Sequence, residues 1–195
     1  RPPGAYAPRS ARHVRPPRAT VTRTSPTQSS AGCLSVQGGG TAGWLCLPPL
    51  ETADGPPVHR QVWQVLGGIV ESWNASDETW LLNQDEALTP SLAASDPQTV
   101  LDAYRWAWEE DGLALPINPS EYGVLAAEVN GNLTLFHRAT SEVLLFAPDH
   151  DFEHIDPLPG CPEYTLYRIS EAPTVTAWLE CLAAQWSLTL EKGQE

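Results

Sequence analysis

Residues 122–151 read YGVLAAEVNGNLTLFHRATSEVLLFAPDHD. Three apolar segments, 122–129, 132–138 and 142–147, follow one another with little between them. Asn130-Gly131 separates the first two, and both residue types tolerate the positive φ of a type I′ hairpin turn. Ala139-Thr140-Ser141 separates the second from the third. In the middle segment Leu133, Leu135 and His137 alternate with Asn132, Thr134, Phe136 and Arg138, the period of a strand. The third, Glu142-Val143-Leu144-Leu145-Phe146, is almost continuously apolar, as suits a central strand covered on both faces. The stretch predicts a three-stranded antiparallel meander, with His137 a hydrogen-bonded sheet histidine.

The rest of the chain is read around that meander. Residues 1–32 hold six arginines, no acid and few large apolar side chains. Such a segment cannot bury enough surface to offset its ordering entropy, so a disordered basic tail or linker is expected. Residues 33–195 are expected to form a single α+β domain. Its sheet is mixed but mostly antiparallel, with the meander at its centre and about three helices flanking it. No run approaches the ~20 apolar residues that span a bilayer. The absence of methionine and the start at Arg1 suggest a processed product or a piece of a longer chain.

In order, Cys33–Val36 and Trp44–Leu47 suggest two short strands about a glycine-rich turn. Gly38-Gly39-Gly40 lacks the GK[ST] ending of a phosphate loop. Val58, Val62, Val65, Leu66, Ile69, Val70 and Trp73 fall on one helical face and predict a helix over 58–73, weakened by Gly67-Gly68. Asn74 to Asp77 would form its exit turn, residues 78–83 a strand, and a polar connection would hold Pro90. Asp96 and Pro97 open a second helix, with Val100, Leu101, Tyr104 and Trp108 on its inner face and Gly112 its stop. A loop over 148–162 leads to a strand over 164–169. Pro173-Thr174 opens a last helix with Val175, Trp178, Leu179, Leu182, Ala183 and Trp186 as its apolar stripe, fraying from Leu188.

Charge sorts the candidate functions. The net charge of −13 hides a +6 tail. Residues 33–195 set five basic residues against 24 acidic ones, a charge of −19. So acidic a body is repelled by nucleic acid and anionic membrane and suits a basic partner. Glu109, Glu110 and Asp111 end the second helix against its macrodipole, and a broken local rule is where function is sought. Asp149-His150-Asp151-Phe152-Glu153-His154 is the one dense ionisable group. His150 and His154 could serve a metal, but flanking prolines oppose the helix that would align them. Cys33, Cys46, Cys161 and Cys181 show no zinc spacing; free thiols and two disulfides both stay open, with Cys33–Cys46 the first pair to check. No serine sits in GxSxG and no base adjoins Cys161. Two glycosylation sequons, at Asn74 and Asn132, matter only if the chain is secreted.

Gly131, Glu142, Val143, Phe146, Asp149 and His150, followed by Val175, Trp178 and Leu179 in the closing helix, give residues 120–186 a pattern that resembles the SUKH superfamily of bacterial immunity proteins and yeast cell-wall regulators. The family's early Leu-Pro helix signal is not matched; Pro116 to Tyr122 substitutes poorly. The resemblance implies an α+β fold and a non-catalytic role, neutralising a cognate nuclease or deaminase toxin. The leading expectation is therefore a cytoplasmic, cofactor-free acidic binding protein, not an enzyme, whose partner is a basic toxin domain. Trp106, Glu109, Glu110, Asp111, Asp149, Asp151 and Glu153 are the candidate contacts. Two alternatives stay open: a metal-dependent enzyme using residues 149–154, and a secreted interaction module held by disulfides.

Overall fold

The structure is a computed structural model that describes residues 43–51, 54–73, 80–81, 86–149 and 154–192. The basic tail, the strand expected at Cys33–Val36, the turn at Asn74 to Asp77, and His150, Asp151 and Glu153 lie outside the described residues. The strands are β1 (Gly43–Cys46), β2 (Ile69–Trp73), β3 (Glu86–Ala87), β4 (Tyr122–Ala127), β5 (Leu133–His137), β6 (Val143–Phe146), β7 (Ile155–Pro157) and β8 (Leu166–Ile169). The helices are α1 (Pro57–Trp63), α2 (Pro90–Ala94), α3 (Gln98–Ala103), α4 (Trp106–Glu110) and α5 (Val175–Lys192). The fold is α+β. The eight strands form one sheet in the order β1-β2-β3-β4-β5-β6-β8-β7. Each ladder among the described residues is antiparallel, so the sheet is not mixed.

The meander lies at the centre of the sheet. Val124 pairs with Leu135, and Leu135 with Leu144. All four residues of β6 are buried, and the period of two divides them between two cores. Val143 and Leu145 join Phe136, Tyr167, Ile169 and the α5 residues Val175, Trp178, Leu182 and Trp186 on one face. Leu144 and Phe146 join Leu135, Leu166, Leu101 and Trp108 on the other. Thr174 caps α5, accepting the Ala177 amide at 3.2 Å. Ala183 lies off the buried stripe, and α5 runs on to Lys192 rather than fraying at Leu188.

The first hairpin turn differs from expectation. Glu128 donates to the Asn132 carbonyl and Gly131 to the Glu128 carbonyl, both at 2.9 Å. The loop therefore has three residues, and Gly131 (φ 100°) alone of them takes a positive φ. This is a type I turn closed by a glycine bulge, not the two-residue type I′ turn.

Residues 58–73 do not form one helix. The helix stops at Trp63, and 69–73 is β2. Gly67 donates to the Leu47 carbonyl and Leu47 to the Gly68 carbonyl, both at 2.9 Å, so another backbone crosses at the glycine pair. A Cβ on Gly67 would stand 2.4 Å from the Pro48 oxygen. Val65 and Val70, counted on the helical face, are exposed. Trp80 and Leu81 are not strand. Trp80 instead stacks on His154 at 5.1 Å, and Leu81 is buried with its amide 3.3 Å from Gln185 Oε1. Pro90 opens α2 rather than sitting in a connection, with Thr89 accepting the Leu92 amide. The second helix is two, α3 and α4, joined by i,i+3 hydrogen bonds through Tyr104 and Arg105. Asp96 does cap its start, accepting the Gln98 amide at 2.9 Å. The loop after the meander contains the edge strand β7.

Arg138 ties the meander to α2. Its guanidinium donates to the carbonyls of Ala93 (2.9 Å) and Ser95 (3.1 Å) and lies 5.9 Å over the Phe136 ring. Carbonyls at a helix end lack intrahelical donors, so this is a C-terminal clasp supplied by the residue that follows β5. Arg138→Met is expected to cost about 1–2 kcal/mol of unfolding free energy, read by urea titration. A loss within ~0.3 kcal/mol of zero would show that the clasp holds nothing.

Candidate binding cleft

Trp108 and Leu101 anchor α3 and α4 in the core beside Phe146, and Tyr104 meets the Phe146 ring edge-on at 5.2 Å. With Trp108 held inside, Trp106 two residues earlier faces outward and is 53% exposed. The helix end is closed by Leu113 donating to Trp108 (2.8 Å) and Gly112 to Glu109 (3.0 Å), with Gly112 at φ 67°. This pair of bonds is a Schellman closure, and it holds Glu110 and Asp111 at the rim.

Facing them is the end of the β6–β8 ladder. Ala147 donates to the Thr165 carbonyl at 2.9 Å, which carries Pro148 and Tyr164 out beside each other from the sheet. The strand expected from Tyr164 begins only at Leu166. Tyr164 sits in the left-handed region at φ 61°, its amide bonded to the Tyr167 hydroxyl at 2.6 Å. Thr165 ties the same turn to the Pro162 carbonyl at 2.6 Å. A non-glycine residue held there is strained, and such residues cluster at binding sites. Tyr164 stays 47% exposed.

Between the two banks lies a cleft of about 420 Å³. Tyr104, Trp106, Pro148, Pro162 and Tyr164 give it apolar and aromatic walls; Glu110, Asp111 and Glu163 give it acid. Arg105, one residue before Trp106, is engaged by Asp102, whose carboxyl is held below its usual range by the Gln98 amide and then by Arg105. Three of the expected contact residues, Trp106, Glu110 and Asp111, thus meet at one cleft. Asp149 is exposed beside Pro148, and Glu109 is exposed but not in the wall. Asp151 and Glu153 lie outside the described residues. Sequence reasoning missed Pro162, Glu163 and Tyr164. The loop expected over 148–162 and the strand expected from Tyr164 were their only signals, and neither says what these residues face.

His137 Nδ1 accepts the Ala139 and Thr140 amides at 3.2 Å, capping its own turn as a hydrogen-bonded sheet histidine. His154 lies 4.0 Å from Glu171 and stacks on Trp80. Among the described residues no group of three His, Cys, Asp or Glu side chains could hold a metal ion. Cys46, Cys161 and Cys181 are free thiols, each pushed up by burial and so poor in reactive thiolate. Among the described residues no helix is long and apolar enough to cross a membrane.

No family model matches the chain, and neither a curated protein nor a solved structure matches it at a significant level.

Proposed function

We propose that this is a non-catalytic acidic binding protein of the cytoplasm, an immunity-type protein that docks onto a basic toxin domain of nuclease or deaminase type and neutralises it. The observation that carries the reading is the cleft, which sets exposed Trp106 and Tyr164 among Glu110, Asp111 and Glu163 on a body of charge −19. Aromatic anchors ringed by charge are how tight interfaces are built, and the acidic field speeds the encounter with a cationic partner. The SUKH-like pattern over 120–186 supports the choice of a toxin as that partner. It also fits an α+β fold in which Val175 and Trp178 of the closing helix are buried.

Capture from the native host at low salt tests the reading, followed by kinetics on the recovered protein. Raising salt from ~50 to ~500 mM is expected to slow association about tenfold. Trp106→Ala is expected to weaken binding at least about tenfold. An acidic partner, or kinetics unmoved by both changes, would refute the proposal.

A further inference from the structure

The cleft has a candidate occupant in the chain itself. Its walls are aromatic rings and prolines, and its rim is acidic. That chemistry selects a segment combining proline and arginine. Proline's fixed φ keeps such a segment extended, so it loses little entropy on docking and stacks in aromatic grooves. Guanidinium groups lie flat on tryptophan and tyrosine and pair with carboxylates. The described residues carry only four arginines and one lysine, whereas the first 32 carry six arginines and no acid. Among these, Arg15-Pro16-Pro17-Arg18 places two cations about a proline pair.

Reach is sufficient. Residues 19–42 lie between that segment and β1. From β1 to β8 the sheet order counts six steps, ~29 Å at ~4.8 Å per strand. There are 24 intervening residues, and a tether of that length would span about 27 Å on average as a random coil and at most ~79 Å fully extended. A tether matched to its span gives an effective concentration of about 1 mM, so even a millimolar contact is half occupied within one molecule.

We propose that Arg15-Pro16-Pro17-Arg18 of the chain's own arm docks in the Trp106–Tyr164 cleft and competes with whatever else binds there. The proposal rests on the cleft being the binding site, and its test separates the two. The indole N–H of Trp106 is followed by ¹⁵N NMR in the full chain. In Arg15→Glu/Arg18→Glu it is expected to shift from its wild-type position, and the wild-type signal is expected to move the same way with added salt. A synthetic peptide of residues 13–20 should bind that double variant at least about fivefold more tightly than it binds wild type, and Asp111→Lys in the double variant should abolish the binding. An unmoved indole signal, or equal peptide binding to both chains, overturns the proposal. So does a wild-type signal that changes on dilution, which would place the arm on a second copy. If Trp106→Ala lowers partner affinity while Arg15→Glu/Arg18→Glu leaves it unchanged, the arm's role fails and the cleft reading survives. If the peptide binds as expected and the partner ignores Trp106→Ala, the arm's docking stands and the reading of function fails.

Discussion

Gly68→Ala is expected to lower the unfolding free energy by about 3–5 kcal/mol, a large part of the 5–15 kcal/mol that holds a domain together. Gly68 has φ 122°, where side-chain-bearing residues are scarcely found. Its missing Cβ would stand 2.7–2.9 Å from Thr89, including that residue's Cα and amide nitrogen, and backbone cannot rotate aside. Conformational strain of about 1–3 kcal/mol and overpacking of similar size therefore add. The position is also a junction: Gly68 accepts from Leu47, and the adjoining Leu88 carbonyl accepts the Trp63 indole N–H at 2.5 Å. Gly112→Ala is the matched control. It too has a positive φ, but nothing lies within 4 Å of its added Cβ, so strain alone should cost about 1–2 kcal/mol. Urea denaturation of both variants decides the matter. Equal losses would mean that the close approach at Gly68 carries no energy.

The second large effect depends on pH. His59 is fully buried, its ring 4.5 Å from Phe136 and 5.6 Å from Trp63. Neither ring nitrogen finds a hydrogen-bond partner among the described residues. Burial first, and the Arg138 guanidinium second, push its pKa down from 6.5 to about 4. The unfolded chain therefore takes up a proton as pH falls below 6.5, while the folded chain resists until about pH 4. The destabilisation from His59 is absent above pH 6.5, grows across that window as pH falls and levels off below about pH 4. The depression corresponds to about 3 kcal/mol. His59→Leu, similar in bulk and unable to titrate, should remove this limb. Wild type is expected to lose about 3 kcal/mol more than the variant between pH 7 and pH 4, the carboxylates contributing alike to both. Near pH 7 the variant should be as stable as wild type or more so, because an unpartnered buried ring is replaced by an apolar one. Parallel pH curves would show that His59 ionises in the fold as freely as outside it.

Both effects lie where the chain meets itself, and they mark how far a reading along it can go. The meander was legible because its signals are local: the period-two alternation around Phe136, the apolar run of β6 and a glycine at the turn are properties of neighbours in sequence. Asp96 before α3, Thr174 before α5 and Gly112 after α4 were legible for the same reason, since a cap joins residues two to five apart. Residues 58–73 misled because four valines with Leu66, Ile69 and Trp73 matched a helical period that Gly67-Gly68 interrupts, and the backbone that crosses there belongs to Leu47 and Pro48. In the cleft, the outward Trp106 and the acids after it could be found from the period of one helix. Tyr164 and Glu163 could not, because they meet Trp106 only once β8 has paired with β6 and Trp108 has seated α4 over that ladder. Contacts along the chain are set by bond geometry over a few residues, while contacts across it are set by which surfaces bury each other, and the second kind made the cleft.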